Sequence, residues 1–290
     1  MEDGLFDSAA VIRRVAGESL LLAGGGRATL LQIAHPAVAQ GVANHSSFTE
    51  RPLDRLRTTM SYVYGVLYGT RSEAQAISRA VAAMHSRVTG PGYDANDPDL
   101  QVWVNATLFD TAMLLYERVL GPLSPTDADT CYRQYSVLAT AIGCPESAWP
   151  TDRAAFTEYW NQTIATIPVS DAARRIATTL LWPEGLPLAL RPAIPLNRFV
   201  TIGLLPAPIR SSYGYPWSPR RERLLDRTLS GLATAYPHLP GRVRFAARDF
   251  YLRDLRKRLA RRRNLLTAGS HNSPSPPCHP RNSAAPSSVP

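Results

Sequence analysis

Five residues in the first third of the chain have types and spacings that could do chemistry: His35, His45, Arg55, Thr59 and His85. His85 follows Ile77, Val81 and Met84 and precedes Val88 on one predicted helix face, so its ring is expected to point inward. An inward imidazole is either a packed core histidine or a metal ligand. One such nitrogen is enough to hold haem iron axially, with a carbonyl or carboxylate fixing the tautomer and the opposite position left for oxygen. His35 sits in an apolar stretch just ahead of Pro36, where a core histidine bonded to a backbone carbonyl and a ligand are both open. His45 lies in a polar loop, and capping through Asn44 and Ser46 is its evident structural role. Arg55 and Thr59 are one helical turn apart and can address one space; the alternative is an exposed face laced with ion pairs.

These residues need helices to position them. Ser8 to Ala23 is apolar all round and reads as a helix that Gly24-Gly25-Gly26 breaks. Arg27 to Ala43 continues it with a kink at Pro36. Pro52 suits the first turn of a helix to about Tyr68. There Leu56, Met60, Val63 and Leu67 form the apolar stripe, while Arg55, Thr59 and Tyr62 line a polar face. Thr70 with Glu73, and Ser72 with Gln75, are capping-box patterns that open the helix carrying His85, which Gly90-Pro91-Gly92 ends. Asp97-Pro98 starts another, running to Leu120 and stopped by Gly121. Further helices are expected near 125–142, 151–166, 170–182, 194–205, 218–235 and 242–264, and the stretch 183–219 is Pro-rich and reads as irregular. Period-two alternation is not sustained anywhere, so the expected fold is all-α: one domain of about ten helices over 1–265. Residues 266–290 are rich in Ser and Pro and read as a disordered tail.

Composition narrows the function classes. The chain has 290 residues, 44% of them apolar and 19% charged, which fits a folded, water-soluble domain. Three cysteines, Cys131, Cys144 and Cys278, are too few and too scattered for a disulfide framework. The acidic N-terminus lacks a leader pattern, and a cytoplasmic location is expected. Net charge is +9, yet residues 242–263 hold ten Lys/Arg against two Asp, while 1–241 hold 21 of each sign. The body is therefore neutral, and no nucleic-acid partner is expected for it. The basic segment interleaves leucines and aromatics with arginines. It reads either as a final helix docking through Phe250, Leu252, Leu255 and Leu259, or as a surface helix touching nucleic acid or, as a weak membrane-surface contact, anionic lipid. Phosphate-binding glycine loops after a strand, HExxH, paired CxxC, GxSxG and Glu-x-x-His patterns are all lacking.

Six strings in order carry a resemblance: GGGRATLLQIAHPAVAQGVANHSSF, RPLDRLRTT, YGVLYGT, MHSRVTG, YDANDPDLQVWVNATLFDT and LGPLS. Together they resemble the MpaB-type oxygenase family, which includes the rubber oxygenase (latex-clearing protein) catalytic domain, over roughly 10–250. The resemblance implies an all-helical oxidoreductase around haem b, using dioxygen on an apolar, isoprenoid or lipid-like substrate. It implies His85 as axial iron ligand, with Arg55 and Thr59 as catalytic residues over the haem face and His35 as a further cofactor contact. Two departures stand out. Rubber-cleaving relatives have lysine where this chain has Thr58. Many close members read WVHATL where this chain has Asn105, which can hydrogen-bond in the cofactor pocket but cannot shuttle a proton near neutral pH. A non-catalytic lipid-binding or scaffold protein of the same fold is the alternative.

Overall fold

A computed structural model describes residues 3–45, 52–183 and 188–270. The fold is all-α. Its helices are α1 (Val11–Ala16), α2 (Gly25–Ala34), α3 (Pro36–His45), α4 (Pro52–Tyr68), α5 (Arg71–His85), α6 (Pro98–Leu120), α7 (Pro125–Tyr135), α8 (Val137–Thr140), α9 (Arg153–Thr166), α10 (Asp171–Leu181), α11 (Ile194–Gly203), α12 (Ala207–Ser212), α13 (Pro219–Ala235), α14 (Gly241–Arg244) and α15 (Ala246–Ser270). That is more than the ten expected, because several anticipated helices divide. Short 3₁₀ turns at Ser19–Gly24, Glu146–Ala148, Leu188–Ala193 and Tyr236–His238 join them. Strands β1 (Thr89–Gly90) and β2 (Tyr93–Asp94) make one antiparallel hairpin, pairing Thr89 with Asp94 and Gly90 with Tyr93.

The helix starts follow from side-chain chemistry. Thr70 accepts from the Glu73 amide while the Glu73 carboxylate accepts from the Thr70 amide, the reciprocal cap that opens α5. Asp97 accepts from the Asp99 amide ahead of Pro98 and opens α6. Gly121 ends α6 at φ +90°, a conformation that a side chain would disfavour. Helix α6 is the axis of the molecule, with thirteen buried residues distributed around it. Val102, Ala106 and Phe109 belong to one buried cluster with Val63, Val66, Ile77 and Val81 from α4 and α5. Trp103 belongs to a second buried cluster with residues of α2, α3 and α10, and Leu115 and Val119 to a third with Leu225 and Leu229 of α13.

Several expectations are corrected. The stretch 8–23 is not one helix: α1 ends at Ala16 and a 3₁₀ turn follows. Gly25 and Gly26 belong to α2, not to a break. A Cβ on Gly24 would lie 2.7 Å from Leu115 Cδ1, and one on Gly26 would collide with Thr201 of α11, so these glycines admit neighbouring helices. Pro36 does more than kink the chain, since His35 turns extended (ψ 123°) and two separate helices result. Met84, expected on the inner face, is 47% exposed, because α5 ends at His85 and its last turn reaches the surface. Tyr62 is buried in the core instead of lining the polar face, and its hydroxyl donates to the Leu138 carbonyl at 2.6 Å. The 183–219 stretch contains α11 and α12 as well as irregular chain. Helix α15 continues to Ser270, past the expected boundary at 265; the rest of the expected tail, 271–290, lies outside the described residues.

Helix α15 lies along α4. Leu252 and Leu255 are buried, but Phe250, expected among the docking residues, is 56% exposed. Arg57 Nε donates to Asp254 Oδ2 at 2.8 Å, and Arg258 Nη2 donates to Ser61 Oγ at 2.5 Å. Since Arg57 and Ser61 are one turn apart, they mark the side of α4 given to α15. Arg55 and Thr59 belong to another side.

Candidate functional site

The side of α4 that carries Arg55 and Thr59 comes together with the end of α5. His85 is half-buried at the last position of that helix. Burial, reinforced by the positive charge of Arg55, pushes its imidazole below the ordinary histidine value. At neutral pH the ring is therefore uncharged, which leaves one nitrogen with a free lone pair. Its Nδ1 is buried with no hydrogen-bond partner, so the carbonyl or carboxylate expected to fix the tautomer does not reach that atom.

Arg55 is itself held down by burial. Its Nη2 donates to Oε1 of Gln32 over a long 3.4 Å. Gln32 is buried on α2, and its backbone carbonyl accepts from the Trp103 indole at 3.2 Å. The site thus brings together α2, α4, α5 and α6. Gln32 escaped the sequence reading; the available signal was a polar side chain within an apolar helix. Thr59, one turn beyond Arg55, is half-buried.

The other candidates make contacts of their own. His35 ends α2, and burial lowers its pKa against the opposing pull of Asp97 and Asp99. Its Nδ1 is buried and unpartnered, and the residue lines an open cleft of about 500 Å³ with Tyr93, Asp94, Asp97 and Asp99. His45 is at the end of α3, its Nε2 2.7 Å from the Tyr93 hydroxyl, which ties α3 to the hairpin. Asn105 is buried in α6 and donates to the Gln101 carbonyl at 2.9 Å, one turn back along its own helix. Thr58 donates to the Asp54 carbonyl at 2.9 Å in the same way.

Among the described residues, no group of three or more His, Cys, Asp or Glu side chains gathers in a way that could hold a metal ion. The site offers instead one neutral imidazole, one guanidinium and one hydroxyl. That set can ligate a single position of an iron whose other ligands come from elsewhere, and can stabilise negative charge beside it.

Comparison with known proteins gives the family to which the chain is similar. The family model described as ER-bound oxygenase mpaB/B'/Rubber oxygenase, catalytic domain, matches residues 12–235. Two proteins named only as uncharacterised, Mb2261 of Mycobacterium bovis and Rv2237 of Mycobacterium tuberculosis, are each 32% identical over 250 residues, covering 82% of this chain and 97% of their own. No solved structure gives a match. With the matched span running from α1 to the end of α13, and so containing Gln32, Arg55, Thr59, His85 and Asn105, the chain belongs to the mpaB/rubber oxygenase catalytic-domain family.

Proposed function

We propose that the chain is a haem b-dependent oxygenase acting with dioxygen on an apolar, isoprenoid or lipid-like substrate, and that it works in the cytoplasm. The observation that carries this reading is the meeting of His85, whose Nδ1 is buried without a partner and whose pKa is lowered by burial and by Arg55, with the desolvated guanidinium of Arg55. Arg55 is strongly desolvated yet keeps accessible surface, which suits a side chain bordering a confined space. The donor set fits haem better than a bare ion, because a macrocycle brings four ligands and asks one of the protein. Haem, when bound, supplies the redox chemistry that dioxygen needs.

This chain's own residues do the rest. His85 offers its lone pair, kept free by burial and by the neighbouring positive charge. Arg55 presents directed N–H donors where negative charge develops on the oxygen substrate, and Gln32 helps to orient that fork. Thr59 adds a hydroxyl from the next turn of α4. The surrounding apolar helices exclude water and take up the substrate. Asn105 holds no transferable proton at neutral pH, so proton delivery has to come from water or another group.

Absorption spectroscopy of protein made with ample haem tests the reading. A Soret band is expected in the native chain, lost in His85→Ala and kept in His35→Ala. A native protein without a Soret band removes the proposal, and loss of the band in His35→Ala alone moves the ligand to His35. The non-catalytic lipid-binding or scaffold alternative draws on Asn105, whose amide is committed to its own helix. Iron content answers it in the same preparation.

A further inference from the structure

We propose that the outward stripe of α15, with the apolar side chains just before it, is a contact surface for an anionic lipid bilayer. The chain's excess charge is concentrated there: residues 242–263 carry ten Lys/Arg and two Asp, while residues 1–241 balance. The structure divides eight of those ten cations into two groups. Arg244 pairs with Glu18, Arg248 with Asp249, Arg256 with Glu73 and Arg258 with Asp254. Arg242, Arg253, Lys257 and Arg261 are exposed, and no ion pair ties them among the described residues. Arg253, Lys257 and Arg261 follow Phe250 at spacings of three, four and four, so all four lie along one face of the helix. Asp254, the carboxylate nearest that face, is already neutralised by Arg57 and Arg258.

Apolar side chains accompany the charge. Phe250 is 56% exposed, Val243 51% and Leu239 39%, three within a dozen residues of the chain. Exposed cations alone would suit any polyanion. Cations with an aromatic ring and two aliphatic side chains suit an interface that is anionic outside and oily beneath. The buried side of α15, with Leu252 and Leu255, packs on α4, where Leu255 meets Gly65; α4 also carries Arg55 and Thr59, so the surface lies one helix away from the candidate site. Under the oxygenase reading, this surface brings the enzyme to the phase in which an apolar substrate dissolves. The surface itself stands without that reading.

Flotation of the full-length protein with phosphatidylcholine vesicles, with and without phosphatidylglycerol, tests it. Binding is expected only to the anionic vesicles and is expected to weaken as salt rises. The combined variant Arg253→Gln, Lys257→Gln, Arg261→Gln should lose affinity on the order of a hundredfold, since each surface cation contributes about fivefold. Phe250→Ser should weaken binding independently, and unchanged thermal unfolding of both variants shows that the fold is intact. No binding to anionic vesicles, or binding that the triple variant leaves untouched, overturns the proposal. Tighter binding of a single-stranded RNA with the same dependence on these residues overturns it too, in favour of a nucleic-acid face. A Soret band that persists in the triple variant keeps the oxygenase reading separate from either result.

Discussion

A buried imidazole nitrogen without a partner is costly, and among the described residues two histidines carry one, His35 and His85. Both have pKa values below the ordinary histidine value, mainly through desolvation. Unfolded, each titrates near ~6.5. Below that pH the unfolded chain takes up protons that the folded chain resists, so the stability these groups contribute is complete above about 6.5 and falls as the solution is acidified. Thermal midpoints of the cofactor-free protein should therefore decrease from pH 7.5 to 5.5. Arg55→Met removes the repulsive charge on His85 and should make that decrease shallower; an unchanged slope would mean that the guanidinium does not act on the ring. The partly inward placement of His85 was legible because its helix is strongly patterned. Gln32 was not, because its importance comes from a contact with Arg55, twenty-three positions away, that spacing along one helix cannot reveal.

At the level of elements, the caps were the readable part. Thr70–Glu73 and Asp97–Pro98 open α5 and α6 where the sequence places them, since a cap uses only neighbouring residues. The glycine triplet was misread because a glycine that ends a helix and one that lets two helices touch look alike in one sequence. The packing separates them by consequence. Gly26→Ala should cost about 1–3 kcal/mol, as its methyl group meets Thr201 in a filled interface. Gly25→Ala, whose methyl group would have Leu56 Cδ1 at 4.0 Å as its nearest neighbour outside its own helix, should cost almost nothing. Urea unfolding of the two variants measures the contrast, and equal costs would remove the close-packing account. The hairpin at 89–94 was expected only as a Gly-Pro-Gly stop, because its register is set by tertiary contacts of Tyr93 with Asn44 and His45.

Across the whole molecule, order is unevenly spread along α4. Its second half supplies Tyr62, Val63, Tyr64, Val66 and Leu67 to the interior, whereas positions 54–60, Arg55 and Thr59 among them, are half-buried or exposed. One rod is thus embedded at one end and lightly covered at the other. Amide hydrogens near Val66 should exchange with deuterium only when the protein unfolds globally, and those around Arg55 and Thr59 through brief local fraying. Mass spectrometry of deuterated peptides should record a steep gradient within this single helix. Guests could then be admitted by loosening its first turns while the rest of the architecture stays shut.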